Sequence, residues 1–273
     1  MTPRSNRPPR RLRTFLLIAL LAVVAASLPG ASAGATPAHG ADRPTIVLVH
    51  GAFADASSWE EVTRKLQNRG LTVYAPAVPL RGLTADSDHL RSFLATLSGP
   101  IVLVGHSYGG AVITNAATGN PDVRGLVYVA GYAPAEGEVV GALNDLGGHP
   151  EESLLLANLV NRDFPGGTDA YVDPAHFREV MAADVTARTA AVLAAGQRPV
   201  SLAAFGEPSG VPAWATIPSW YLVASRDRAI PPSAERAMAA RAGSTTVEIR
   251  SSHLAMVGHS GEVTQLILAA IRG

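Results

Sequence analysis

No cysteine occurs in the 273 residues. Disulfides, thiolate metal sites and a cysteine nucleophile are excluded together. Charge is sparse, at 16% of residues, and it cancels, with 22 basic against 22 acidic side chains. A basic surface for nucleic acid is therefore not indicated. No apolar run reaches the roughly 18 residues that mark a membrane-spanning helix. What the chain has in quantity is apolar residues, 47% of the total, with 26 Gly and 20 Pro. That composition supplies a large core and is unlike that of a disordered chain.

The zero net charge joins two unlike parts. Residues 1–33 hold Arg4, Arg7, Arg10, Arg11 and Arg13 and no acid. The apolar run Phe15–Leu28 follows, then Ala31-Ser32-Ala33. A basic start, a short apolar centre and small residues at an A-x-A end predict a secretory signal peptide cleaved near Ala33. The run is too short for an anchor helix that spans a bilayer. Arg10-Arg11 raises the twin-arginine route, but Leu12, Arg13 and Thr14 after it fit that signal poorly. The expected product is secreted, extracellular or periplasmic. Removing 1–33 leaves 17 basic and 22 acidic residues, a net charge of −5. A domain of that size buries roughly 70–75% of its unfolded surface, enough for stability without disulfides. Residues 34–43 are small and polar and read as a loose leader.

Short β-branched apolar runs recur along 34–273: Thr45–His50, Thr72–Val78, Pro100–Val104, Val123–Ala130, Ser219–Ala224 and Thr245–Ile249. Runs that are continuously apolar imply strands buried on both faces. Helical stretches lie between them: Trp59–Arg69, Asp86–Leu97, Tyr108–Ala117, Pro232–Ala242 and Gly261–Arg272. Trp59, Val62 and Leu66 share one face of the first. Asp86 or Ser87 is a candidate cap for the second and Ser260 for the last, while Pro232 suits a first helical turn. The order predicts an α/β fold with a mostly parallel sheet flanked by helices. Residues 134–218 break the rhythm. Helix-like pieces at Ser153–Leu159, Pro174–Met181 and Val185–Ala195, with no convincing strand, read as a helical cap over one end of the sheet. Two crossover helices with long loops are the alternative.

Gly105-His106-Ser107-Tyr108-Gly109-Gly110 follows a strand and opens a helix. The G-x-S-x-G pattern is weak alone, but a tight strand-to-helix turn raises the Ser107 hydroxyl above the sheet at a helix N-terminus. Side chains at Gly105 and Gly109 would clash there. A serine hydroxyl needs a base to act as a nucleophile. His253 lies four residues after the last strand run and is the first candidate, with His259 second. His106 is assigned to packing. The base needs an acid, and Asp227 follows the strand Ser219–Ala224. Oxyanion donors are expected from the Tyr108 N–H and from the loop after the first strand, where Ala52 is the first candidate and Phe53 the second.

The segments Val49-His50-Gly51-Ala52-Phe53, Gly105–Gly110, Ser225-Arg226-Asp227 and Ser251-Ser252-His253 together resemble the α/β-hydrolase superfamily. The likeness is greatest to small bacterial hydrolases related to plant methyl-ester esterases and hydroxynitrile lyases. The resemblance implies a six-stranded core without the extra N-terminal hairpin and a serine carboxylesterase with catalytic Ser107, Asp227 and His253. It implies no metal or organic cofactor and a small hydrophobic ester as partner, with Phe53, Tyr108 and Trp214 as candidate pocket residues. The lyase branch carries Thr at the position of Gly51 and Lys at that of Leu254, so this chain departs from it. A cofactor-free haloperoxidase or perhydrolase, and a non-catalytic ligand-binding member of the fold, remain alternatives.

Overall fold

The structure is a computed structural model that describes residues 43–273. The expected signal peptide lies outside the described residues, as does nearly all of the expected leader. Among the described residues no helix is long and apolar enough to cross a membrane.

The first half alternates strand and helix: β1 (Thr45–Val49), α1 (Glu60–Gln67), β2 (Val73–Tyr74), α2 (Leu83–Leu94), β3 (Ile101–Ser107), α3 (Tyr108–Ala116) and β4 (Val123–Gly131). A cap segment follows with β5 (Leu159–Phe164), β6 (Gly167–Val172), α4 (Phe177–Met181), α5 (Ala187–Gly196) and β7 (Val200–Ser201). The chain then returns through β8 (Ser219–Ala224), α6 (Pro232–Arg241), β9 (Thr245–Ile249), α7 (Ala255–Gly258) and α8 (Ser260–Arg272). The main sheet has six parallel strands in the order β2-β1-β3-β4-β8-β9. Every residue of β3 and β8 is buried, as continuous apolar strands between two helical layers require. In α8, Val263, Leu266, Ile267 and Ala270 recur at helical spacing and form its buried side. All nine residues of α3 are buried, so this helix is enclosed on every side.

Three local departures have physical causes. β2 is only two residues long, because Pro76 and Pro79 lack the N–H groups that would extend the ladder. α2 starts at Leu83, a turn before the expected Asp86. Its end is capped from the cap segment, where Glu207 accepts the Thr84 N–H at 2.9 Å. Neither Asp86 nor Ser87 is the cap residue, and at α8 the cap position is His259, one before Ser260. The cap itself is mixed and not purely helical. β5, β6 and β7 form a three-stranded antiparallel sheet beside α4 and α5. β5 carries Asn161, Arg162 and Asp163 and is largely exposed, so it has no apolar signature for sequence to reveal.

The parallel topology brings the loops after β1, β3, β8 and β9 to one end of the sheet. The last two loops are laced together, with Ser225 N–H donating to the Ile249 carbonyl (2.9 Å) and Arg226 N–H to the Ser251 carbonyl (3.0 Å).

Candidate active site

Ser107 ends β3 and its backbone has φ 52° and ψ −126°. A non-glycine residue there is strained by about 1–3 kcal/mol, which the surrounding packing must hold in place. The packing is tight. A Cβ on Gly105 would lie 2.6 Å from the Gly109 carbonyl oxygen, and one on Gly109 would lie 2.5 Å from the Val49 carbonyl oxygen. The neighbouring strand bends with the turn. The β3–β4 register passes from His106↔Val129 to Ser107↔Gly131, leaving Ala130 as a bulge with φ 42°. The Ser107 carbonyl accepts the Tyr132 N–H at 3.0 Å.

His253 and Asp227 meet as expected. His253 Nδ1 and Asp227 Oδ2 are 2.5 Å apart, and both side chains are essentially inaccessible to solvent. Asp227 Oδ1 accepts the N–H groups of Ala229 (2.6 Å) and Ile230 (2.9 Å). Those bonds fix the carboxylate plane and hold it toward the imidazole. His106, next to Ser107, places its ring 4.6 Å from the His253 ring and its Nε2 donates to the His253 carbonyl at 3.0 Å. Among the described hydrogen bonds, none joins the Ser107 hydroxyl to His253 Nε2. In unliganded sites that bond is commonly long and tightens when substrate binds.

The other histidines have different surroundings. His50 Nε2 accepts the Val78 N–H (2.9 Å), which assigns the proton to Nδ1, donating to the Gly51 carbonyl (2.9 Å). Burial holds both His50 and His106 below the ordinary histidine range, so both are neutral. His259 sits between Asp184 (3.2 Å) and Glu262 (3.4 Å) at the start of α8.

The loop after β1 approaches the nucleophile closely. A Cβ on Gly51 would fall 2.6 Å from Ser107 Cβ and 2.9 Å from the His106 carbonyl oxygen. Gly51→Ala is therefore expected to displace the Ser107 turn and lower kcat by about 10²-fold, the scale of a roughly 1 Å misplacement. Steady-state rates beside an unchanged circular-dichroism spectrum check it. The Phe53 N–H donates to the Arg198 carbonyl of the cap (3.0 Å), while no hydrogen bond engages the Ala52 N–H among the described residues. The Tyr108 N–H begins α3 and has no carbonyl of its own helix to meet. Phe53 and Leu254 help line a cavity of about 130 Å³, together with Ala54, Ser58, Phe177 and Leu193. Trp214 does not line it, and its indole N–H donates to the Pro134 carbonyl (2.9 Å).

The sequence reading missed three buried or bridging carboxyls. Asp86 accepts the Tyr108 hydroxyl at 2.8 Å, and burial raises its affinity for a proton. Glu235 is buried beside Asp227. Asp184 of the cap accepts the Ser252 N–H (2.7 Å) and hydroxyl (2.5 Å), next to His253. Burial alone would raise Asp184, but the Ser252 hydrogen bonds and His259 hold it below the usual carboxylate range. Only Asp86 carried a sequence signal, and it pointed to helix capping.

The alpha/beta hydrolase family matches residues 46–266, most of the chain. The chain belongs to the alpha/beta hydrolase family. Among curated relatives, this chain is 36% identical over 106 residues to a pyrethroid hydrolase of Sphingobium wenxiniae. That match covers 34% of this chain and 37% of the relative, so only about a third of the relative's length is spanned. The crystal structure of a pyrethroid hydrolase from Sphingobium faniae superposes with a TM-score of 0.70 at 23% identity, over 84% of this chain and 98% of the other. The Arabidopsis methylesterase MES16 gives a TM-score of 0.70 at 17% identity, over 84% and 99%. The chain thus shares its fold with the small esterase group that its motifs resemble.

Asp184 links the cap to the loop that carries His253, and Leu254 N–H adds a bond to the Met181 carbonyl (2.9 Å). Asp184→Ala leaves the Ser252 donors unpaired and is expected to cost about 1–3 kcal/mol of stability. Its effect on kcat should be about tenfold or less, because the His253–Asp227 pair itself is untouched. Thermal unfolding and kcat measured on the same preparation check both parts.

Proposed function

We propose that this hydrolase is an exported serine carboxylesterase that cleaves small hydrophobic esters. The observation that carries the reading is the buried 2.5 Å hydrogen bond between His253 and Asp227, at the sheet end where Ser107 stands on its strained turn. Ser107 Oγ attacks the ester carbonyl. His253 takes the hydroxyl proton at Nε2 and gives it to the leaving alcohol. Asp227 holds the imidazole with its proton on Nδ1 and stabilises the imidazolium that forms. The N–H groups of Ala52 and Tyr108 bind the developing oxyanion. A water activated by His253 then releases the acid and restores Ser107. These steps call for no metal or organic cofactor.

The cavity lined by Phe53 and Leu254, the chain neighbours of Ala52 and His253, and by Phe177 and Leu193 supports a hydrophobic substituent on the substrate, although Ser107 itself does not line it. Curated relatives named as a pyrethroid hydrolase and a carbendazim hydrolyzing esterase support the reaction class. Leu254 supplies no charge for the anion that a lyase of this group releases, and Gly51 leaves no space for that branch's threonine. Export rests on the pattern of residues 1–33, and a net charge of −5 beyond them favours neither nucleic acid nor an anionic membrane as partner.

The test is turnover of a short-chain aryl ester by the purified protein, with fluorophosphonate labelling located by peptide mass spectrometry. Turnover with label on Ser107 is expected. A wild type with neither turnover nor label refutes the reading.

A further inference from the structure

Glu235 is fully buried in α6 at 0% exposure. Its Oε2 accepts the Ala224 N–H at 3.0 Å. Its Oε1 meets no donor among the described residues. Glu235 is thus tied to the residue three before Asp227, and the charge of the Asp227 carboxyl bears on it. Two carboxylates so close, both out of water, cannot both stay ionised, so one must hold a proton.

The donors decide which one. Asp227 receives three hydrogen bonds, from His253 Nδ1 and from the Ala229 and Ile230 N–H groups. Glu235 receives one. Donors stabilise the charged form, so the charge resides on Asp227 and the proton on Glu235. A carboxylate offers about four lone-pair sites, and Asp227 has three of them filled. A neutral Glu235 has a proton to offer the fourth, and its Oε1 is the oxygen that lacks a partner. The other titratable groups facing Glu235 are Tyr132, Tyr221 and Arg236. Burial and the Asp227 charge raise Glu235 well above the usual carboxylate range, and the Arg236 charge opposes that only weakly.

We propose that Glu235 is a neutral carboxylic acid at working pH that donates a hydrogen bond to Asp227 and thereby positions it against His253. Glu235 touches no reacting atom and is a positioning residue. The inference rests on the assignment of Asp227 and His253 made above. With the fourth site filled, Asp227 cannot turn to another donor, and its negative charge is moderated. A moderated Asp227 holds the imidazole in place without trapping it as imidazolium.

Two measurements test this. The first is the carboxyl carbon signal of the protein labelled with ¹³C-glutamate. One glutamate should remain protonated at about pH 6–7, and that signal should vanish in Glu235→Gln. The second is the acidic limb of kcat/KM. Glu235→Leu removes the donor, so Asp227 attracts the imidazolium more strongly. The limb should move up by roughly half a pH unit, with kcat/KM down by no more than about threefold at neutral pH from that shift. Glu235→Gln keeps a donor for Asp227 and an acceptor for the Ala224 N–H, and should return the limb to the wild-type position. Absence of a protonated glutamate overturns the proposal. So does a downward shift of the limb in Glu235→Gln, the signature of removing a real negative charge. If Glu235→Leu does not fold, the labelled wild type and Glu235→Gln still decide. The carbon signal needs no turnover, so a protein with the protonated glutamate but no ester hydrolysis defeats the carboxylesterase reading alone.

Discussion

Ser107→Ala should reduce kcat for a short-chain aryl ester by roughly 10⁵–10⁶-fold, the scale seen when the nucleophile of a serine hydrolase is removed. The fold should survive the change. Ser107 is buried, but its hydroxyl enters no described hydrogen bond, so no partner is left unpaired. Alanine tolerates φ 52° no worse than serine, and the glycine contacts that shape the turn are unaltered. Thermal unfolding within about 1 kcal/mol of wild type, with loss of fluorophosphonate labelling, separates a lost nucleophile from a lost fold. A residual rate of about 10³-fold over water is expected from the Ala52 and Tyr108 N–H groups. A Ser107→Ala protein that retains more than a tenth of its activity would remove Ser107 from the mechanism.

The second large effect is expected from Asp227→Asn, and the hydrogen bonds predict its sense. One Asp227 oxygen faces two backbone N–H donors and the other faces His253 Nδ1. An amide in this position keeps its oxygen toward Ala229 and Ile230, because its NH₂ would meet donors there. The NH₂ group then points at His253 Nδ1, which must become an acceptor. The imidazole proton moves to Nε2, and Nε2 can no longer accept a proton from Ser107. A loss of about 10⁴-fold in kcat follows, with the geometry preserved. Measuring kcat with neutral and anionic leaving groups, alongside NMR of the His253 ring nitrogens, checks both the size and the tautomer. A loss below about tenfold would mean that Asp227 does not set the proton on His253.

The centre of the sheet was legible because β1, β3, β4 and β8 are largely apolar and bounded by turns, whereas β9 is an exposed edge strand and not the doubly buried one its run suggested. Ser219–Ala224 and Thr245–Ile249 coincide with the expected runs. The candidate site was legible because its members stand at strand ends, where position filters eight histidines to two. The cap was less legible for a physical reason. β5 is mostly solvent-facing and carries charged residues, and β7 has only two residues, so neither shows the buried pattern that marks the main sheet. Glu235 was hidden differently. In sequence it is an ordinary acid in an Ala-rich helix with Arg236 beside it, and only the packing of α6 against β8 turns it toward Asp227. Trp214 is bound into the cap. An aromatic in the cap suggested a pocket wall, while its N–H is engaged with Pro134.

Three acceptors on the cap hold loops of the site: the Met181 and Arg198 carbonyls and the Asp184 carboxylate. Two of them belong to the main chain, which side-chain substitution does not delete. Phe177 and Leu193, which wall the cavity, are separate from all three. Under the proposed reading, preference for the ester can therefore drift by changes at those walls while the anchorage of His253 stays constant. A library randomised at Phe177 and Leu193 samples new esters at small risk to turnover, whereas exchanging the whole cap for a foreign one discards the fastenings along with the walls.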